Sequence, residues 1–235
     1  MKNAYIGKLF SILGDSISTL SGYSEPFHAS FYDNTKKTKS GVLTPDDTWW
    51  GQIIRQLDGQ LLINNSFSGS TVTKLNGYLV PSYACSDERT ASLGYSDHSP
   101  DVIIIFMGIN DCGYNVKLFP ASDSDKNDTS FFYVAYSSML DKLKRNYPKS
   151  ELWTLTLPIS KCTKMENFTF PYLQCGRHIN EYNDIIRLSS KEKGCKLIEL
   201  YDDNVTYDTI DGFHPNSEGM KTISNRIIQE LEKEK

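Results

Sequence analysis

Asp101-Val102-Ile103-Ile104-Ile105-Phe106-Met107-Gly108-Ile109-Asn110-Asp111 is the stretch that decides the fold. From Val102 to Met107 every side chain is apolar, with no polar alternation, the pattern of a strand buried on both faces. Such a strand belongs in the middle of a parallel sheet with helices covering each side. The run breaks at Gly108, so Asn110 emerges just beyond the carboxyl end of the strand. In open α/β sheets that edge is where ligands bind.

Upstream, Leu9, Phe10, Ile12 and Leu13 form a second apolar run that stops at Gly14 and leaves Ser16 beyond its end. Gly-Asp-Ser alone also reads as an ordinary turn. A helix is predicted from Pro45-Asp46-Asp47-Thr48, with Trp50, Ile53, Ile54 and Leu57 at helical spacing and a stop at Asp58-Gly59. Trp49 and Trp50 are read as core. Leu61 to Asn64 is a strand followed by the small-residue loop Asn65 to Thr71, where Gly69 lets the backbone approach a ligand closely. Tyr83 to Thr90 is polar and opens a short helix at Ser86 or Asp87. Arg89 within it is read as structural, with substrate contact as the alternative.

Downstream, Phe132, Tyr136, Met139, Leu140 and Leu143 mark an amphipathic helix ending before Pro148, and Leu152 to Leu157 a strand ending at Pro158. A helix through Ile179, Tyr182, Ile185 and Ile186 stops at Gly194 and leads to the strand Lys196 to Leu200. The last helix carries Met220, Ile223, Ile227 and Leu231, preceded by Asp211-Gly212-Phe213-His214-Pro215. Tyr23 to Thr44 lacks a helical or strand period and is read as a loop covering one side of the crevice, Asn115 to Thr129 as an exposed polar loop able to gate the site, and Ser160 to Gly176 as a loop. Five strands alternating with helices specify a three-layer α/β/α sandwich with a mostly parallel sheet and right-handed crossovers, in a single domain over 1–235.

Composition narrows the function. A net charge of -4 and no basic patch give no reason to expect nucleic acid. No segment reaches the roughly 18 apolar residues of a membrane span. The amino terminus has no apolar leader, which points to the cytoplasm or to export with the leader removed. Cys85, Cys112, Cys162, Cys175 and Cys195 are odd in number and lack a Cys-x-x-Cys, so free buried thiols are expected, with a Cys162–Cys175 bridge as the oxidising-compartment alternative. Oligomeric state is not legible.

Serine needs a base to become a nucleophile, usually a histidine oriented by a carboxylate. Ser16, His214 and Asp211 supply those types. An oxyanion needs donors, and a backbone amide at Gly69 with the Asn110 side chain would provide them. Asp15 and Asp111 are assigned to loop structure.

Gly14-Asp15-Ser16, Gly69, Gly108-x-Asn110-Asp111 and Asp211-x-x-His214, in this order over nearly the whole chain, resemble the four blocks of the SGNH (GDSL-type) hydrolase superfamily. The resemblance implies a flavodoxin-like sandwich and a serine esterase needing neither metal nor cofactor. Ser16 would be the nucleophile, His214 the base and Asp211 its orienter, with Ser16, Gly69 and Asn110 as the oxyanion hole. The ordinary α/β-hydrolase motif is excluded, because Gly14-Asp15-Ser16-Ile17-Ser18 lacks the closing glycine. The expected substrate is a small polar ester, such as an acetylated carbohydrate, ahead of a lipid. A ligand-binding module on the same fold is the main rival. A metal-dependent phosphoesterase has too few clustered ligands in Asp211-x-x-His214.

Overall fold

The computed structural model describes residues 2–25, 27–75, 82–95, 97–174 and 176–233. After a helical turn α1 (Lys2–Tyr5), the chain runs through β1 (Leu9–Gly14), α2 (Asn34–Ser40), α3 (Trp49–Gln56), β2 (Gln60–Ser66) and α4 (Asp87–Ala91). It continues through β3 (Val102–Phe106), α5 (Ile109–Gly113), α6 (Phe132–Asn146) and β4 (Glu151–Leu155). The remainder is β5 (Ile159–Lys161), β6 (Leu173–Gln174), β7 (Arg177–His178), α7 (Ile179–Glu192), β8 (Lys196–Ile198), β9 (Thr206–Asp208) and α8 (Ser217–Lys233).

The main sheet has five strands in the order β2-β1-β3-β4-β8, every pair parallel. Strand order therefore reverses between β1 and β3, the switch point at which such sheets open a crevice. All of β3 is buried, as its unbroken apolar run requires. Helix α3 packs with α8, and α6 with α7, so the sheet is enclosed as a three-layer sandwich. Aromatic side chains fill the space between layers. Trp49 meets Phe106 edge-on at 5.6 Å, and Trp153 meets Phe10 at 5.9 Å, geometries that suit the ring quadrupole. Both Trp49 and Trp50 are core, as their spacing indicates.

Several boundaries and elements differ from the sequence reading. Pro45–Asp47 is a separate 3-10 turn, and α3 begins only after Thr48, whose hydroxyl accepts from the Gly51 amide. The stretch Tyr23 to Thr44 contains α2, capped by Asp33 and closed by Gly41 in the left-handed region. Ser160 to Gly176 carries the end of β5 and all of β6, and β9 pairs in parallel with β5. The strand expected from Leu152 to Leu157 ends at Leu155, and that from Lys196 to Leu200 ends at Ile198. In place of a last rung of sheet, the Thr156 hydroxyl accepts from the amides of Leu200 and Tyr201.

Among the described residues no helix is long and apolar enough to cross a membrane. The Cys162 thiol donates to the Thr209 carbonyl, and Cys175 lies outside the described residues.

Candidate active site

Ser16 opens a 3-10 turn (Ser16–Ser18) directly after β1. Asp15 caps that turn, its carboxylate accepting from the Ile17 amide at 3.0 Å. The turn is pinned from both sides, since Trp50 Nε1 and Asn64 Nδ2 each donate to the Ser18 carbonyl at 2.9 Å. Thr19 Oγ1 donates to the Ser16 carbonyl itself. Neither Trp50 nor Asn64 shows this task in the sequence, because both look like ordinary core or strand residues.

His214 and Asp211 lie on the loop between β9 and α8. Gly212, with φ of 95°, lets that loop turn sharply. Ser160 Oγ donates to the Gly212 carbonyl, Tyr207 Oη to the Phe213 carbonyl and Tyr32 Oη to the Pro215 carbonyl. The loop is thus held at three successive points. Asp211 Oδ1 accepts from the amides of Phe213 and His214, while Oδ2 lies 2.8 Å from His214 Nδ1. His214 Nε2 is 2.9 Å from Ser16 Oγ. With Nδ1–H given to Asp211, Nε2 is the nitrogen free to accept the Ser16 proton. The Phe31 ring lies flat on the imidazole, with centroids 3.4 Å apart and planes 8° from parallel. Burial tends to raise the Asp211 pKa, but His214 and the two amides outweigh it and hold the carboxyl at about 2. Asp211 is therefore an anion throughout the neutral range.

Gly69 follows β2 in a turn with φ of 79°, and Asn110 sits in the first turn of α5 after Gly108, whose φ is 126°. All three parallel strands deliver their following residues to one edge. Among the described residues, neither the Ser16 nor the Gly69 amide N–H has an acceptor. Asn110 Nδ2 donates to the Ser70 carbonyl at 2.8 Å, which fixes the amide plane and leaves its second N–H. A cavity of about 240 Å³ opens at Ser16, Asn110 and His214, walled by Ile17, Ile109, Gly113 and Phe213.

Asp111 is buried, and its carboxylate accepts from the amides of Val72 and Thr73 and from Thr73 Oγ1. It ties α5 to the segment after Gly69, so it and Asp15 act on loops. Burial raises Asp15 to about 7 and Asp111 to about 6. Arg89 is buried and bonds to protein groups on every side. Among the described residues, no three His, Cys, Asp or Glu side chains are grouped to hold a metal ion.

A family model described as GDSL-like Lipase/Acylhydrolase matches residues 8–231. Among solved structures, a protein of Bacteroides ovatus named as a GDSL-like lipase is 30% identical, covers 97% of this chain and 99% of its own, and superposes with a TM-score of 0.74. A similarly named protein of Bacteroides uniformis is 27% identical over 97% of this chain and 96% of its own, with a TM-score of 0.73. A carbohydrate acetylesterase of Sinorhizobium meliloti shares the fold at 15% identity and a TM-score of 0.61, covering 97% of this chain and 100% of its own. A search of curated proteins gave no match. With the match extending from the start of β1 almost to the end of α8, this chain belongs to the GDSL-like lipase/acylhydrolase family.

Proposed function

We propose that this protein is a serine ester hydrolase that removes short acyl groups, acetyl foremost, from a carbohydrate or another small polar ester. The observation that carries the reading is the continuous hydrogen-bonded line from Asp211 through His214 to Ser16, with separations of 2.8 and 2.9 Å. In this mechanism Ser16 Oγ attacks the ester carbonyl as its proton passes to His214 Nε2. The Ser16 and Gly69 amides and Asn110 Nδ2 receive the oxyanion of the tetrahedral intermediate. Collapse breaks the bond to the alcohol, which leaves with the proton from His214. Water, deprotonated by the same nitrogen, then releases the acid from the acyl-enzyme.

The cavity at Ser16 has apolar walls from Ile17, Ile109 and Phe213, which suit an acyl group seated against the nucleophile.

The test is hydrolysis of p-nitrophenyl esters from acetate to palmitate by wild type and Ser16→Ala, with and without chelator. Short-chain turnover that disappears in Ser16→Ala and is indifferent to chelator is the expected result. Turnover retained in Ser16→Ala rejects the assignment. Turnover lost to chelator requires a metal mechanism instead.

A further inference from the structure

We infer that Arg89 is a positioning residue for ester cleavage, its guanidinium locking the loop that carries Gly69 against the carboxyl end of β1. The inference rests on the hydrolase reading above.

Helix α4 places Arg89 behind the site, capped by Ser86 Oγ, which accepts from the Arg89 amide. The side chain is 3% exposed. Its Nε donates to Asn65 Oδ1 at 2.5 Å, Nη1 to the hydroxyls of Ser70 and Ser82 at 2.8 Å each, and Nη2 to the carbonyls of Gly14 at 3.1 Å and Asn65 at 2.7 Å. These bonds use every N–H that a guanidinium has. Gly14 precedes the Asp15-Ser16 turn, and Ser70 follows Gly69. One rigid plane therefore spans the two segments whose amides would face the oxyanion. Ser70 is also where Asn110 attaches, through its carbonyl. All the donors assigned to the oxyanion hole are thus referred to a single group.

The partners are all neutral. Among the described residues, no carboxylate forms an ion pair with Arg89. A buried cation without a paired anion is costly, and an apolar or amide side chain would staple a loop with less desolvation. What the guanidinium adds is a fixed planar fork that reaches Gly14, Asn65, Ser70 and Ser82 at once. Burial pulls its pKa down to about 10, with the Asp15 carboxyl working in the opposite direction, so the charge persists at neutral pH. Lysine would match the charge but not the fork.

The structure also supplies a route for a rescue experiment. A cavity of about 270 Å³, bordered by His28, Asn65, Phe67 and Ser82, reaches Arg89 from outside. Guanidinium ion can enter there when the side chain is truncated.

The experiment measures kcat and KM for p-nitrophenyl acetate, with thermal unfolding, in wild type, Arg89→Ala, Arg89→Lys and Ser70→Ala. Both Arg89 variants are expected to lose about 10- to 100-fold in kcat with little change in KM, the scale of a displaced catalytic group. Guanidinium ion, far below denaturing concentrations, should restore Arg89→Ala at least several-fold without raising its Tm. Ser70→Ala, which cuts only one of the Arg89 bonds, should lose about 3- to 10-fold in kcat with a near-native Tm, and it provides the test if the Arg89 variants do not fold. Wild-type kcat in a folded Arg89 variant or in Ser70→Ala overturns the inference, as does rescue that only follows Tm. A wild type without ester turnover removes the hydrolase reading and this inference together.

Discussion

His214 is constrained by three different interactions: Asp211 holds Nδ1, Ser16 meets Nε2 and Phe31 covers the ring face. Their removal should differ in effect. Asp211→Asn keeps a hydrogen-bond acceptor but loses the anion that favours a protonated imidazole, and comparable changes cost up to about 10⁴-fold in kcat. Phe31→Ala removes the stack on the imidazole, worth about 0.5–1.5 kcal/mol, along with the ring's edge contact to Tyr32 and the Lys36 cation above it, so kcat should fall by roughly 2- to 12-fold. Steady-state kinetics of the two variants checks that order, and equal losses would reject it. Asp15 offers a different readout. Burial raises its folded pKa to about 7, well above the usual carboxyl value, so the native state keeps a proton that the unfolded chain has released. The resulting stabilisation is complete below about pH 4 and is lost as pH rises through about 7. Asn at this position can still accept from the Ile17 amide. Urea midpoints measured from pH 5 to 8 should therefore fall more steeply for wild type than for Asp15→Asn, and parallel slopes would show that Asp15 does not titrate in this way.

At the level of elements, apolar pattern made the sheet legible and its absence hid the rest. Strand β3 and helices α6, α7 and α8 bury long apolar faces, so their period shows directly in the sequence. Helix α2 reads Asn-Thr-Lys-Lys-Thr-Lys-Ser and buries only Ser40, so only its Asp33 and Gly41 caps could have announced it. Strands β5 and β9 are too short to show alternation. For the candidate site, residue types and the four-block resemblance pointed to Ser16, Gly69, Asn110, Asp211 and His214, and the fold carries the segments that hold them to one edge of the sheet. The Phe31 stack and the Arg89 fork depend on contacts between distant segments, and no local spacing encodes them. The junction of β9 and α8 carries a prediction of its own. A Cβ on Gly219 would lie 2.0 Å from the Asp208 carbonyl oxygen, a backbone atom that cannot swing aside. Gly219→Ala should push α8 off β9 and cost about 1–3 kcal/mol by overpacking. Because Asp208 also holds Asn216 beyond the His214 loop, kcat should drop with stability. Chemical denaturation together with ester kinetics tests both parts, and a variant of native stability would refute the close approach.

Over the whole molecule, the candidate chemistry joins residues 198 positions apart, Ser16 after the first strand and His214 before the last helix. Gly69 and Asn110 come from two further strand ends, and the His214 loop is anchored to Tyr32 near the beginning of the chain. No segment could assemble this site by itself. The core is continuous from Phe10 to Leu231, which makes one cooperative unit the physical expectation. Esterase activity, Trp fluorescence and far-ultraviolet circular dichroism should consequently disappear in a single urea transition with one midpoint. The fluorescence probe suits this test, because Trp49, Trp50 and Trp153 are all buried in the core. Activity lost at lower urea than the two structural signals would mean that the loops at the sheet edge open before the sandwich does. A fluorescence transition separated from the dichroism change would instead divide the molecule into units that unfold independently, and would reject the single domain.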